Sequence, residues 1–431
     1  NYLQAHLLKA QVFKQQFNYE EAKACVQKVL DRYPNDVNAR AGLIDIYKNE
    51  GNYDKALALG EELLEEFPDT PAIRVNHALC LQDIGQFEES EQHLRMVLSN
   101  HPDTEFAFTN FLMGMHYNPA RTKEEIFEAH KQWDQYFAPK VRPARPLPAI
   151  RKIDKKLRIG FLSGGFRRHP VGWMTHVAMK YLPRDQFELY CYTTNSSYDL
   201  LTKSIHDAAD QWQSVIGYSN EIITELIRKD GIDILVELSG HSEDNRLGAV
   251  ALEPAPVIVK WVGGLFNTTG LQAIDYLITD WYETPAGEEA YYTEKLVRMP
   301  DDYISYQPPQ YAPDVAPLPA AKNGYITFGC FNNPTKVNKE ILKYWAEIMK
   351  RVPDSRLYLK SRQYATAAFR KRIEDTLESY GVSRKQLLFE GQTSHPEHLA
   401  NYNKVDIALD PWPSSGGLTT CEALWMGVPV I

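Results

Sequence analysis

Across 431 residues the chain has no pair of cysteines at C-x-x-C spacing, no D-x-D, no apolar run near the length of a membrane span and no excess of positive charge. Each lack removes a class. Without C-x-x-C, the five scattered cysteines (Cys25, Cys80, Cys191, Cys330 and Cys421) suit neither a zinc knot nor a disulfide framework. They fit a reducing, cytosolic setting, and Cys421 reads as a small buried residue. No stretch approaches the roughly 18–20 apolar residues of a spanning helix, and no membrane partner is expected. Residues 1–3, Asn1-Tyr2-Leu3, read as the inside of a helix, as in a trimmed chain. A net charge of -9 with 24% charged residues argues against a nucleic-acid partner. Also missing are G-x-x-x-x-G-K-[ST], G-x-G-x-x-G after a strand, H-E-x-x-H and G-x-S-x-G. Without D-x-D, any bound diphosphate must be neutralised by helix N-termini and basic side chains.

What is present is a repeat. FNYEEAKA (17–24), GNYDKALA (51–58) and GQFEESEQ (85–92) place Tyr19, Tyr53 and Phe87 in register, and Pro34, Pro68 and Pro102 keep the same 34-residue step. That period, with small residues at Ala22, Ala56 and Ser90, is the tetratricopeptide pattern of paired antiparallel helices, whose stacked groove commonly holds an extended peptide. Repeats and following helices are expected over 1–132, and a proline-rich, basic connector over 133–156.

From residue 157 short apolar runs alternate with helical ones: 157–164, 187–194, 232–240, 257–264, 275–280 and 295–300. The segment 305–324 is again rich in proline, and the rhythm resumes at 325–332, 355–361, 386–391, 405–410 and 428–431, with helices near 338–351, 366–380 and 419–427. Near-continuous apolar strands between helices predict buried parallel sheets. Two Rossmann-like lobes follow, 157–304 and 325–431, and ligands belong at the carboxyl ends of their strands.

Four strand-end segments are polar. SGGFRRHPVGW (163–173) carries His169, a general base or a helix cap. ELSGHSEDNR (237–246) carries His241, with the same two readings. GCFNNPTKVNKE (329–340) sets Lys336 before a helix, where an ammonium can meet a phosphate. PWPSSGGLTT and its helix aim the amides of Leu418 to Thr420 and the threonine hydroxyls toward the cleft. Glu422 either closes a capping box with Thr419 or accepts from ribose hydroxyls.

Together these segments, with NTTGLQAIDYLITD and ALDPWPSSGGLTTCEALWMGVPVI, resemble the O-GlcNAc transferase family, inverting GT-B glycosyltransferases, from the first repeat to the last residue. The resemblance implies metal-free, cofactor-free transfer of a sugar, GlcNAc from UDP-GlcNAc, to Ser or Thr of protein acceptors held along the repeat groove. By position His169 matches a proposed base or acceptor-side residue, and Lys336 the lysine on the diphosphate. Asn333 stands where some members have glutamine, and His398 matches a histidine stacking on the nucleotide base. Gly417, Leu418, Thr419 and Thr420 match the diphosphate loop, and Glu422 the ribose carboxylate. Animal members carry a histidine at the place of Gly417 and a tyrosine at that of His241, a position on the acceptor side. Several segments are as similar to the SPINDLY branch, which uses GDP-fucose. Relatives continue past the last residue here, so the resemblance implies an incomplete second lobe. A repeat scaffold with an inactive transferase domain, or a sugar-nucleotide epimerase, is the competing reading.

Overall fold

The computed structural model describes residues 2–148, 155–242, 244–263 and 267–431. Residues 149–154 of the expected connector, and Gly264 at the end of the expected strand 257–264, lie outside these. The repeats form α1 (Tyr2–Gln15), α2 (Tyr19–Leu30), α3 (Val37–Glu50), α4 (Tyr53–Glu66), α5 (Pro71–Asp83), α6 (Phe87–Asn100) and α7 (Glu105–Tyr117). The aligned aromatics Tyr19, Tyr53 and Phe87 each open a helix, and the residues before them, Asn18, Asn52 and Gln86, share φ near −90° and ψ of 72°, 67° and 65°. Two residues before each aromatic the chain turns left-handed, at Phe17 (φ 62°), Gly51 (φ 83°) and Gly85 (φ 81°). Glycine takes that conformation without Cβ strain, whereas Phe17 bears it with Arg362 set over its ring at 5.5 Å.

The chain divides into two compact units: Asn1–Ala120 with Gln310–Ile431, and Arg121–Pro309. In the second, α8 (Lys123–Phe137) opens with a capping box made by Thr122 and Glu125. The connector expected from residue 133 therefore begins as helix, because Trp133 and His130 are fully buried. Beyond it the basic residues do not run free. Arg145 puts one guanidinium nitrogen 2.7 Å from both oxygens of Asp275 and the other on Glu253 and the Ala273 carbonyl. There follow β1 (Leu157–Ser163), α9 (Pro170–Lys180), β2 (Phe187–Thr193), α10 (Leu200–Ala208), β3 (Gln211–Ser214), α11 (Asn220–Lys229), β4 (Ile234–Glu237), α12 (Leu247–Val250), β5 (Val257–Trp261), β6 (Tyr276–Asp280) and β7 (Lys295–Met299). All pair in parallel in the order β3-β2-β1-β4-β5-β6-β7, with Leu157 opposite Phe187 and Ile159 opposite Ile234. The edge strand β3 was not expected. Its QWQS has no apolar run, and only Trp212 gives it a packing side chain.

In the first unit the chain continues with α13 (Pro319–Asn323), β8 (Thr327–Cys330), α14 (Lys339–Arg351), β9 (Arg356–Lys360), α15 (Ala367–Ser379), β10 (Leu387–Glu390), α16 (His395–Asn401), β11 (Ile407–Ala408) and α17 (Leu418–Trp425). The strands are parallel in the order β10-β9-β8-β11, and the expected strand at 428–431 makes only a bridge, Val430 with Ala408. α14 buries Ile341, Leu342, Trp345 and Met349, at helical spacing, on this sheet. The same apolar core runs into the repeats through Tyr53, whose ring lies 5.4 Å from that of Phe369. Burying each such ring contributes about 2 kcal/mol. Gly51 fits there for want of a Cβ, which would stand 2.6 Å from the Thr366 hydroxyl.

Candidate functional site

In an open parallel sheet the crevice forms where strand order reverses, at the carboxyl ends of the two strands flanking the reversal. In the second unit those strands are β1 and β4; in the lobe of the first they are β8 and β11. The four polar segments singled out in the sequence follow these four strands.

In the second unit, β1 runs into a loop pinned by two bonds: Gly165 N–H to the Ser163 hydroxyl at 2.8 Å, and Arg168 N–H to Asp199, the N-cap of α10, at 2.7 Å. A Cβ on Gly172 would lie 2.3 Å from the Arg167 carbonyl, so this glycine lets the loop rest on α9. His169 is the N-cap of α9, its Nδ1 accepting from Val171 N–H at 3.3 Å. Burial, with Arg167 nearby, pushes its pKa down to about 4. The ring is neutral at pH 7, Nδ1 holds the lone pair that the amide uses, and the proton sits on Nε2. His169 thus does what the capping reading expected and presents an N–H outward; to act as a base it must first release Val171.

His241, expected on the acceptor side, is 2% exposed. Its Nε2–H donates to the Thr269 carbonyl at 2.6 Å, and its ring packs on His130 and Trp133 of α8. Burial holds its pKa down at about 4. The turn after β4 is drawn inward, because buried Glu237 accepts from both Ser239 and Gly240 N–H and so folds the chain back.

In the first unit, Asn333 is exposed but turns its side-chain oxygen onto Thr335 N–H, capping the 3-10 turn Pro334–Lys336. Lys336 is half-buried, its Nζ donating to the Ser415 carbonyl at 2.6 Å. Burial lowers its pKa, and Asp410 nearby opposes that shift. Asp410 accepts from Gly416 N–H at 2.8 Å, and Asn338 donates to the Trp412 carbonyl at 2.7 Å. The loop after β11 is thereby held against the loop after β8. Thr419 adds a third tie, its hydroxyl donating to Asn332 at 3.0 Å. A cleft of ≈ 290 Å³, open mouth included, lies between, lined by Asn332, Asp410, Thr419 and Thr420 among others. A Cβ on Gly416 would meet the hydroxyl oxygens of Thr420 and Thr419 at 2.6 and 2.7 Å, so this position is a cradle that only glycine leaves open.

α17 starts at Leu418 with Gly417 as its N-cap. The capping box of Thr419 with Glu422 is therefore absent: the helix begins before Thr419, which leaves Glu422 a full turn inside. The Thr420 amide is spent on the Gly417 carbonyl at 3.1 Å, so of the amides expected to face the cleft, those of Leu418 and Thr419 remain as first-turn donors without an i−4 carbonyl. Glu422 is buried and accepts from His395 Nε2 at 2.9 Å, with His398 Nε2 at 3.4 Å. Burial works to raise its pKa, but the two histidines outweigh it and keep the carboxylate charged. His395 was not singled out in the sequence. Its signal was the spacing His395-x-x-His398 at a helix start, which puts both rings on one face; Tyr311 bonds its Nδ1 at 2.7 Å. His398 itself packs on Phe331 and Tyr402. Cys421, expected buried, is partly exposed, while the other four thiols are buried.

Repeats joined to two parallel α/β lobes, with polar loops at both reversals, make up a GT-B architecture preceded by tetratricopeptide repeats. The family model described as glycosyl transferase family 41 matches residues 143–308 and 318–431, and a tetratricopeptide repeat model matches 13–59 and 49–107. The chain belongs to glycosyl transferase family 41. It is 35% identical over 335 residues to a protein of Arabidopsis thaliana named "Probable UDP-N-acetylglucosamine--peptide N-acetylglucosaminyltransferase SPINDLY", covering 77% of this chain and 36% of that one. With the Arabidopsis protein named SEC, under the same description, it shares 32% over 289 residues, 64% of this chain and 29% of the other. The chain thus spans about a third of the length of these relatives. A solved mutant of the Thermobaculum terrenum O-GlcNAc transferase superposes with a TM-score of 0.91 at 32% identity, over 100% of this chain and 82% of that one.

Proposed function

We propose that the chain carries the catalytic part of a protein O-glycosyltransferase that moves GlcNAc from UDP-GlcNAc to Ser or Thr hydroxyls, with inversion and without a metal. The observation that carries this is the convergence, in one lobe, of Lys336 and the N-terminus of α17 on the loop that Asp410 and Gly416 shape. As the acceptor oxygen bonds to the anomeric carbon, the bond to the diphosphate breaks and negative charge grows on the β-phosphate. Lys336 exchanges the Ser415 carbonyl for that phosphate, and the Leu418 and Thr419 amides face the same charge. Preorganised donors of this kind supply the largest share of the acceleration in much enzyme catalysis, and a lysine with a helix N-terminus can neutralise a diphosphate. Glu422 has oxygen lone pairs left beside its two histidines for vicinal ribose hydroxyls, and His398 offers a ring face to the base. The acceptor proton leaves late in a dissociative step, so a weak base is enough, and an oxygen of the departing diphosphate takes it. His169 then serves through its Nε2–H. The repeats hold the acceptor chain, and the buried thiols of Cys25, Cys80, Cys191 and Cys330 suit a cytosolic setting.

The second reading keeps the chemistry and changes the donor to GDP-fucose; the similarity of FNN and TTCEALWMGVP to the SPINDLY branch favours it. Intact-mass measurement of acceptor protein after incubation with UDP-GlcNAc and GDP-fucose separates the two by the mass added. No added mass from either, with no thermal shift by UDP or GDP, refutes both and leaves a repeat scaffold.

A further inference from the structure

The turn that carries Lys336 is only three residues long, and a turn that short has no rigidity of its own. It is held from two sides. Asn333 caps it from within. From outside, Thr335 is 5% exposed and points its hydroxyl away from the cleft to Oδ1 of Asp83, at 2.8 Å. Asp83 is the last residue of α5, a helix of the repeats. Its other oxygen accepts from Tyr53 OH at 3.1 Å, and Tyr53 is one of the register aromatics of the repeat. Lys48 lies near the same carboxylate; burial works against its ammonium, but Asp83 and Asp45 outweigh it.

The Thr335 hydroxyl has a second acceptor within reach, Asn333 Oδ1 at 3.2 Å. One proton serves one acceptor well, and the bond to the carboxylate, at 2.8 Å against 3.2 Å, is the shorter. Without Asp83 the hydroxyl keeps only Asn333 Oδ1, an acceptor inside its own turn, and this tie of the turn to α5 is lost. Other ties seat the repeats on this lobe, Arg372 on the Ile84 carbonyl at 2.7 Å and the Thr366 hydroxyl on the Glu50 carbonyl at 2.8 Å. Of these contacts, that of Asp83 ends on the turn of the lysine.

We infer that Asp83, backed by Tyr53, is a positioning residue for Lys336, so that the repeats hold the phosphate-facing lysine in place through Thr335. The role of that lysine toward a diphosphate rests on the function proposed above; its positioning does not.

The test measures acetylation of Lys336 by acetic anhydride, residue by residue by mass spectrometry, between about pH 7 and 10, with exposed Lys404 as internal reference. Thr335→Val keeps the shape and removes the hydroxyl; Asp83→Ala removes the acceptor; Thr335→Ser restores the bond. In the first two, the midpoint of Lys336 labelling is expected to move up toward that of a free lysine and the plateau rate to rise several-fold. Thr335→Ser is expected to label as the parent does, and the double variant Asp83→Ala/Thr335→Val no more than either single one. Parent-like labelling in Thr335→Val, or effects that add in the double variant, overturns the inference. Melting curves identify a variant that does not fold, and Thr335→Val, which loses no volume, carries the test if Asp83→Ala fails. If labelling responds as expected but the parent moves no sugar from UDP-GlcNAc or GDP-fucose, the positioning stands and the proposed function falls. If the parent moves sugar and Thr335→Val leaves both labelling and kcat unchanged, the positioning alone falls.

Discussion

Gly416→Ala separates binding from folding at the cleft. The added Cβ would stand 2.6 Å from Thr420 Oγ1, 2.7 Å from Thr419 Oγ1 and 3.0 Å from Asp410 Oδ1, all side-chain atoms. Gly416 does not lie in the left-handed region, so alanine brings no backbone strain there. The threonines must give way, and their branched Cβ restricts how they do so. Turning Thr419 breaks its bond to Asn332, a loss of about 1 kcal/mol, while restricting the unfolded chain returns about 0.4–1 kcal/mol. The melting temperature is therefore expected to stay within a few degrees of the parent's. A diphosphate, in contrast, loses the threonine hydroxyls and part of the space over the α17 amides, about 1–2 kcal/mol, or roughly 5–30-fold in Kd. Isothermal titration with UDP and GDP measures the second quantity and calorimetric melting the first. A variant that binds its nucleotide as the parent does but melts many degrees lower refutes the reasoning, because Gly416 would then serve packing and not the ligand.

Lys336→Ala is expected to lower kcat by about 10²–10³ with the fold kept, as judged by circular dichroism, since it removes one preorganised donor from the leaving charge; near-normal turnover refutes its role. Gly51→Ala is expected to cost about 2 kcal/mol in chemical denaturation, because it pairs a left-handed φ with a Cβ lying 2.6 Å from Thr366. Stability is expected to fall with acid. His241 has a folded pKa pushed down to about 4, so between that value and the ordinary one near 6.5 the unfolded chain binds more protons and stability rises with pH. By pH 5 this one group has lost about 2 kcal/mol. His241→Gln is expected to flatten the slope of denaturation free energy between about pH 5 and 7, and an unchanged slope refutes the burial argument.

The features legible in the sequence were those with a local signature. A 34-residue register is visible because each repeat must bury the same faces against its neighbours, and Tyr19, Tyr53 and Phe87 mark it. The inner parallel strands are visible because burial on both faces makes them nearly apolar throughout; of the two edge strands, β7 keeps Leu296, Val297 and Met299, whereas β3 has only Trp212 and was lost. The polar loops could be placed at strand ends, and the strand order then sets all four at the two reversals.

The direction in which a polar side chain turns is another matter. His169 and His241 follow β1 and β4 with much the same local polarity. Val171 N–H, two residues on, draws one ring into a cap, whereas Thr269, 28 residues away, draws the other into the core, a partner that only packing brings near. Thr419-x-x-Glu422 has the spelling of a capping box, yet the helix starts at Leu418 because the loop before it is already tied by Asp410 and Lys336. That leaves Glu422 to His395 and His398, and the carboxylate gains from a second helix the partners that a cap would have supplied. Asp83 and Thr335 stand 252 residues apart, and neither looks unusual in its own segment. Their contact arises only once the third repeat lies on the lobe. Consequently, a substitution in the repeats that shifts the end of α5 is expected to reach Lys336 before it reaches any other residue of the candidate site.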